Sequence, residues 1–73
     1  MARKQYHVSP SGSNWKVTQG GITLSVHFTK QIAVDAGVTV AKANQPSQLL
    51  IHRADGTIED ERTYGDDPYP PLG

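Results

Sequence analysis

The stretch from Gly21 to Asn44, GITLSVHFTKQIAVDAGVTVAKAN, decides the fold, because its hydrophobic residues change their spacing partway along it. In the first half apolar and polar residues alternate, as they do in a strand with one buried face. From Lys30 onward the apolar residues recur about every 3.6 positions, the period of an amphipathic helix, and Thr29 just before them is a favourable N-cap. We therefore expect a strand followed at once by a helix that covers its apolar face. The apolar residues of this strand are Ile22, Leu24, Val26 and Phe28, and the polar ones are Thr23, Ser25 and His27.

The predicted helix has an inner stripe of mostly small residues, which permits close packing on a sheet. Gly37 in its middle costs about 1 kcal/mol relative to alanine, so the helix depends on tertiary contacts. Pro46 marks its end, because the residue before a proline avoids the helical conformation. The stripe consists of Ala33, Ala36, Gly37, Val40 and Asn44.

Two further strands precede this stretch. In KQYHVSP, Tyr6 and Val8 alternate with polar residues, and in NWKVTQGG, Trp15 and Val17 do the same. The intervening SPSGSN and the Gly20-Gly21 pair are typical of tight turns. The pattern predicts an antiparallel meander of three strands.

The segment SQLLIHRADGTIEDERTY predicts a hairpin, because an Asp-Gly pair separates two strand-like runs. A two-residue loop would place His52 opposite Glu59, and Arg53 opposite Ile58; a three-residue loop would shift the pairing by one. We expect Ile58 and Tyr64 to anchor the second strand, with its carboxylates facing water. Charges of this kind discourage pairing between sheet edges.

The predicted fold class is α+β: an antiparallel sheet in the order β-β-β-α-β-β with one helix packed on one face. Residues 1–65 form a single small domain, and residues 66–73 are expected to be a disordered, proline-rich tail. The predicted core comprises Tyr6, Val8, Trp15, Val17, Leu24, Val26, Phe28, Val40, Leu49, Ile51 and Ile58.

Composition limits the possible functions of these 73 residues. With no cysteine, the chain has no disulfide and no thiolate ligand or nucleophile. The basic N-terminus is not followed by the apolar run of a signal peptide, and no stretch reaches membrane-spanning length, so we expect a cytoplasmic protein without a membrane partner. The formal net charge is zero, but residues 1–30 hold four bases and no acid, whereas residues 31–73 hold three bases and seven acids. Either the halves neutralise each other within the fold, or they permit head-to-tail association or anion binding.

The side chains that could carry chemistry form no recognisable motif. His7, His27 and His52 are separated by 20 and 25 residues, which match no metal-binding spacing. The carboxylates from Glu59 to Asp67 read as a solvated charge run, and no serine lies in a nucleophile motif. We therefore expect no enzymatic activity, no metal and no cofactor.

Nucleic-acid binding is the alternative that the strand pattern leaves open, because a sheet face can dock into a groove. Its outer face is predicted to be polar with a single lysine, so binding would be weak and sensitive to salt unless an N-terminal arm contributed. The candidate surface for a nucleic acid or another partner comprises Arg3, Lys4, His7, Lys16, Thr18 and His27.

One set of stretches runs through nearly the whole chain: YHVSPSGSNWKV, the glycine pair at 20 and 21, HFTKQIAVDAG, LLIHRADGTIEDERTYGDDPYPP and the terminal glycine. Through these stretches the chain resembles a bacterial family, the domain of unknown function 2188. Ile32 departs from the acidic residue that the resemblance leads us to expect in the first helical turn. The resemblance implies a fold and a bacterial or phage distribution, and it carries no activity and no functional residues.

A second resemblance, in architecture, is to the plant APETALA-two type DNA-binding domain, through Trp15-x-Val17, the glycine pair and Phe28-Thr29 before an alanine-rich helix. The basic strand residues with which those domains hold DNA are missing here. We therefore predict a small non-enzymatic binding or protein-interaction module that self-associates through a strand edge, with weak nucleic-acid binding by the outer sheet face as the alternative.

Overall fold

The computed structural model describes residues 3–65, so the predicted proline-rich tail lies outside the described residues. Five strands and one helix follow one another in the predicted order. They are β1 (Lys4–Ser11), β2 (Asn14–Gln19), β3 (Ile22–His27), α1 (Lys30–Ala43), β4 (Ser47–His52) and β5 (Ile58–Tyr64).

The five strands form one mixed sheet in the order β3-β2-β1-β4-β5, in which β1 and β4 are parallel. The prediction of a purely antiparallel sheet was therefore wrong. The reason is the path of the helix: α1 starts after β3 at one edge and returns across the sheet, so the next strand runs in the direction of β3 and β1. Because β1 and β3 run in the same direction, β4 would be parallel to either of them, and it pairs with β1.

The core lies between α1 and the three central strands. Tyr6, Val8, Val17, Leu49 and Ile51 are at most 2% exposed. They pack against α1, whose buried positions are all small, namely Ala33, Gly37 and Ala41. A helix is about 10 Å wide and strands are about 4.8 Å apart, so one helix covers about two to three strands of five. The predicted core is confirmed at these strand positions, and Trp15 and Val40 pack partly buried against it.

The outer strands do not contribute the predicted core residues. Leu24, Val26, Phe28 and Ile58 are exposed, and Phe28 is 85% exposed. In β3 the cause is a bulge: Ser25 lies opposite Val17, but Thr23 lies opposite Thr18, so no residue of β2 pairs with Leu24. Residues that pair across a ladder share a face, so the bulge turns Ser25 and His27 toward the helix side and Val26 away from it.

The hairpin between β4 and β5 has a three-residue loop. The backbone N–H of Arg53 donates to the carbonyl of Thr57 (2.7 Å), and His52 lies opposite Ile58. A bulge then leaves Glu59 without a paired residue on β4. Of the two registers that the sequence left open, the structure has the shifted one near the loop.

The ends of α1 agree with the sequence. The backbone N–H of Ile32 donates to the hydroxyl oxygen of Thr29 at 3.2 Å, which confirms the predicted N-cap. The helix ends at Ala43, before Pro46. No helix within residues 3–65 is both long and apolar enough to span a membrane.

Candidate interaction surfaces

The sheet has an outer face, on the side opposite α1, that carries mainly polar side chains. Pairing in register places His7 beside Thr18 and Leu50, and Ser9 beside Lys16. Leu50 is the single leucine among these paired residues, and it is only 7% exposed. On β1, β2 and β4 the polar members of the outer face include Gln5, His7, Ser9, Lys16, Thr18, Gln48 and His52, and β3 and β5 add Thr23, Glu61 and Thr63.

His7 and His52 form a stacked, hydrogen-bonded pair on this face. Their ring centroids are 5.2 Å apart, and Nδ1 of His7 lies 2.9 Å from Nε2 of His52. Nδ1 of His52 lies 2.9 Å from the carbonyl oxygen of Gly56, which can only accept, so this nitrogen carries the proton of the neutral ring. Nε2 of His52 is then an acceptor, and Nδ1 of His7 donates to it in the neutral pair. Burial, followed by the charge of His52, lowers the pKa of His7 below its ordinary value.

Two open depressions flank this histidine pair. The larger, about 830 Å³, is lined by side chains with hydrogen-bonding amides and by the Gly20-Gly21 turn. The smaller, about 450 Å³, includes Ser9, Lys16 and Thr18. The larger depression is lined by Arg3, Gln5, His7, Gln19, Gly20, Gly21 and Gln48.

The structure divides the candidate surface that was predicted from the sequence. Arg3, His7, Lys16 and Thr18 line the depressions on the outer face. Lys4 lies opposite the buried Ser47, and His27 opposite Trp15, so both belong to the helix side of the sheet. The bulge in β3 explains why His27 lies on the helix side, since simple alternation along the strand predicts that it faces the outer side.

Among residues 3–65, the most apolar exposed surface is at β3 and the start of α1. We call the side chains of Ile22, Leu24, Val26, Phe28 and Ile32 the β3 patch; each is between 45% and 85% exposed. Val26, Phe28 and Ile32, together with Asn14 and His27, line a notch of about 250 Å³. Scattered apolar residues are normal on a surface, but large side chains gathered at one edge indicate an interaction site.

The two edges of the sheet differ in charge. β5 has the sequence IEDERTY, with four charged residues in seven, whereas β3 has the sequence ITLSVH, with none. Charged side chains keep an exposed strand edge from pairing with another strand. The edge at β5 is therefore protected, and the edge at β3 is open as far as residues 3–65 are concerned.

Reasoning from the sequence assigned most of the β3 patch to the core and so missed this surface. The sequence could have indicated this surface through the width of the helix relative to the sheet. A single 14-residue helix with small inner residues cannot cover both edges of a five-stranded sheet. An edge strand with large apolar residues is then bound to expose them.

Of the carboxylates that were considered for catalysis, Glu59 and Asp60 are held in ion pairs, and Asp66 and Asp67 lie outside the described residues. Lys30 pairs with Glu59, and Arg62 with Asp60. Asp55 accepts hydrogen bonds from the hydroxyl and backbone N–H of Thr57, which lower the pKa of Asp55. Within residues 3–65 there is no group of three or more histidine and carboxylate side chains placed to hold a metal ion.

These features define a class: a small α+β domain in which one helix covers the centre of a five-stranded mixed sheet and leaves one edge apolar and open. Residues 6–64 match the model of a family described as uncharacterized proteins conserved in bacteria, DUF2188. The chain belongs to this family. Comparison with curated proteins and with solved structures found no match.

Proposed function

We propose that this domain is a non-enzymatic protein-interaction module that binds an extended strand at its β3 edge. The observation that supports this proposal most directly is the β3 patch on an uncharged edge strand. An incoming strand would pair with the free backbone groups of β3, and its apolar side chains would cover the patch.

The geometry of the patch fits this mode of binding. Backbone hydrogen bonds at a sheet edge give affinity, and pockets beside the strand give sequence preference. The notch beside Phe28 and Ile32 is such a pocket, since it adjoins the end of β3. Ile32 at 50% exposure adds nothing to the electrostatics of a helix N-terminus, where an acidic residue would be favourable, but it extends the apolar surface.

A peptide-display selection tests the proposal and does not require the partner to be identified first. Random peptides are selected on the immobilised domain and on the Val26→Lys variant, which places a charge on the β3 edge. We expect the wild type to enrich uncharged, β-branched and aromatic sequences, and we expect the variant to lose this enrichment.

The matched control is Thr63→Lys, which adds the same charge to the opposite edge at β5. This variant should enrich the same peptides as the wild type. Equal enrichment on the wild type and on Val26→Lys, or no enrichment on a wild-type chain immobilised sparsely enough to be monomeric, would contradict the proposal.

A second candidate function is weak nucleic-acid binding by the outer face. The observation that favours it is the 830 Å³ depression, where Arg3, three glutamines and His7 present hydrogen-bonding groups together. Because few cations accompany them, affinity should be weak even at low salt. Titration of labelled DNA and RNA at low and moderate salt tests this function, and a lack of binding at low salt would exclude it.

A further inference from the structure

We infer that the strand received by the β3 edge is β3 of a second copy, paired antiparallel about a two-fold axis to give a ten-stranded sheet. This inference rests on the proposed function, because it names the partner of the same edge. Two-fold dimers are the commonest closed assemblies, and their interface uses the same patch on both subunits.

Charge favours a second copy at this edge. The twelve residues from Thr18 to Thr29 carry no formal charge, so two β3 strands meet without opposed like charges. A head-to-tail arrangement would instead place β3 against the four charged residues of β5 and bury some of them beside apolar side chains. Symmetric pairing is therefore the better match for β3.

The bulge in β3 selects one register. Thr23 and Val26 face the outer side, because they lie opposite Thr18 and Lys16, whereas Ile22 and His27 face the helix side. Antiparallel strands in one continuous sheet must pair residues that share a face. The register that pairs all six residues of β3 and meets this condition puts Thr23 opposite Val26 of the second copy, and Ile22 opposite His27 of the second copy.

This register also accounts for the most exposed aromatic ring. Continued by one residue beyond His27, it places Phe28 opposite Gly21 of the second copy. Gly21 has a φ of +82°, and a Cβ built on it would have no heavy atom within 4 Å, so there is room for a ring above it. An aromatic side chain across from a glycine covers the bare backbone of the neighbouring strand.

Cysteine cross-linking tests the register, because the natural chain has no cysteine. The double variant Thr23→Cys/Val26→Cys should form a covalent dimer under mild oxidation. The two cysteines are about 10 Å apart along their own strand, so they cannot bond within one chain. The control Ile22→Cys/Val26→Cys places its cysteines on opposite faces and should yield little covalent dimer.

Light scattering tests the assembly itself. The wild type should have twice the chain mass of 7.9 kDa at micromolar concentration, Val26→Lys should have the single mass, and Thr63→Lys should remain dimeric. Circular dichroism checks that each variant is folded, and the cross-link measures the interface without a charge substitution. A monomeric wild type, or equal cross-linking of the control pair, would overturn the inference.

The failures of the inference and of the proposed function are distinguishable. A monomer that enriches apolar peptides in the display selection removes the second copy but leaves the β3 edge as an interaction site. A monomer that enriches none removes both. A dimer broken by Thr63→Lys and not by Val26→Lys places the interface at β5 and overturns the inference.

Discussion

Gly37 allows α1 to lie close to the sheet. A Cβ at this position would be 2.9 Å from Cδ1 of Leu49 and 3.0 Å from Cγ2 of Val8, both of which are fully buried. Gly37→Ala gains about 1 kcal/mol in helix propensity. Overpacking of a tight core costs about 1–3 kcal/mol, which exceeds that gain. We expect a net loss of about 1 kcal/mol, measured by urea unfolding; an increase in stability would show that the core yields to the added methyl group.

His7 makes the stability of the domain depend on pH. Its pKa is lowered in the folded state by burial and by His52, so the unfolded chain binds the proton more readily. The contribution of His7 to the free energy of unfolding is therefore fully present above the ordinary histidine pKa of about 6.5. This contribution is lost as the pH falls from there through the lower pKa of the folded state. Thermal melts between pH 7.5 and 5 should show a falling Tm.

The matched variants for this prediction are His7→Gln and His27→Gln. The first removes the titrating group and should flatten the profile below pH 6.5. The second leaves the His7–His52 contact intact and should keep the wild-type slope. A slope that survives in His7→Gln would assign the dependence to other groups.

At the scale of the elements, α1 depends on its cap at Thr29. The hydroxyl oxygen of Thr29 accepts the backbone N–H of Ile32, which has no partner within the helix. Thr29→Ala should lower the free energy of unfolding by about 1 kcal/mol. Thr39→Ala, also at an exposed position, should lower it by less, because it removes only a side-chain bond to the carbonyl of Asp35. Chemical denaturation of both variants checks this, and equal stabilities would contradict a capping role.

The elements themselves were predictable because each has a local cause. Thr29, the change of period and Pro46 bound the helix, and the Asp55-Gly56 pair marks the last hairpin. The position of β4 was not predictable in the same way, since the placement of a strand beside β1 or beside β3 is a non-local choice. The bulge at Leu24 also leaves no clear trace in the sequence, yet it reverses the facing of Val26 and His27 and so changes the candidate site.

At the scale of the whole molecule, the basic first half and the acidic second half of the chain meet within the fold. Lys30 pairs with Glu59 and lies over the ring of Trp15, 5.4 Å from its centroid. The pair is partly exposed and so contributes less than about 1 kcal/mol. Its effect is to place a neutralised cation at the N-terminus of α1, where an unpaired one would be unfavourable.

The contrast between a covered centre and an open edge predicts opposite results for the same substitution at two leucines. Leu49 is fully buried under α1, whereas Leu24 on β3 is 45% exposed. A domain of this size has about 4–11 kcal/mol of stability, and truncation of a buried leucine removes about 2–5 kcal/mol of it. Leu49→Ala should therefore lower the unfolding free energy severely.

Leu24→Ala should lower it by less than about 1 kcal/mol, because surface substitutions have small effects. Urea unfolding of both variants, at protein concentrations low enough to keep the chain monomeric, measures the difference. At high concentration Leu24→Ala should instead weaken association, since Leu24 belongs to the edge that the second copy covers. Comparable losses for the two variants at low concentration would mean that β3 is covered within one chain, and its edge would then not be available to a partner.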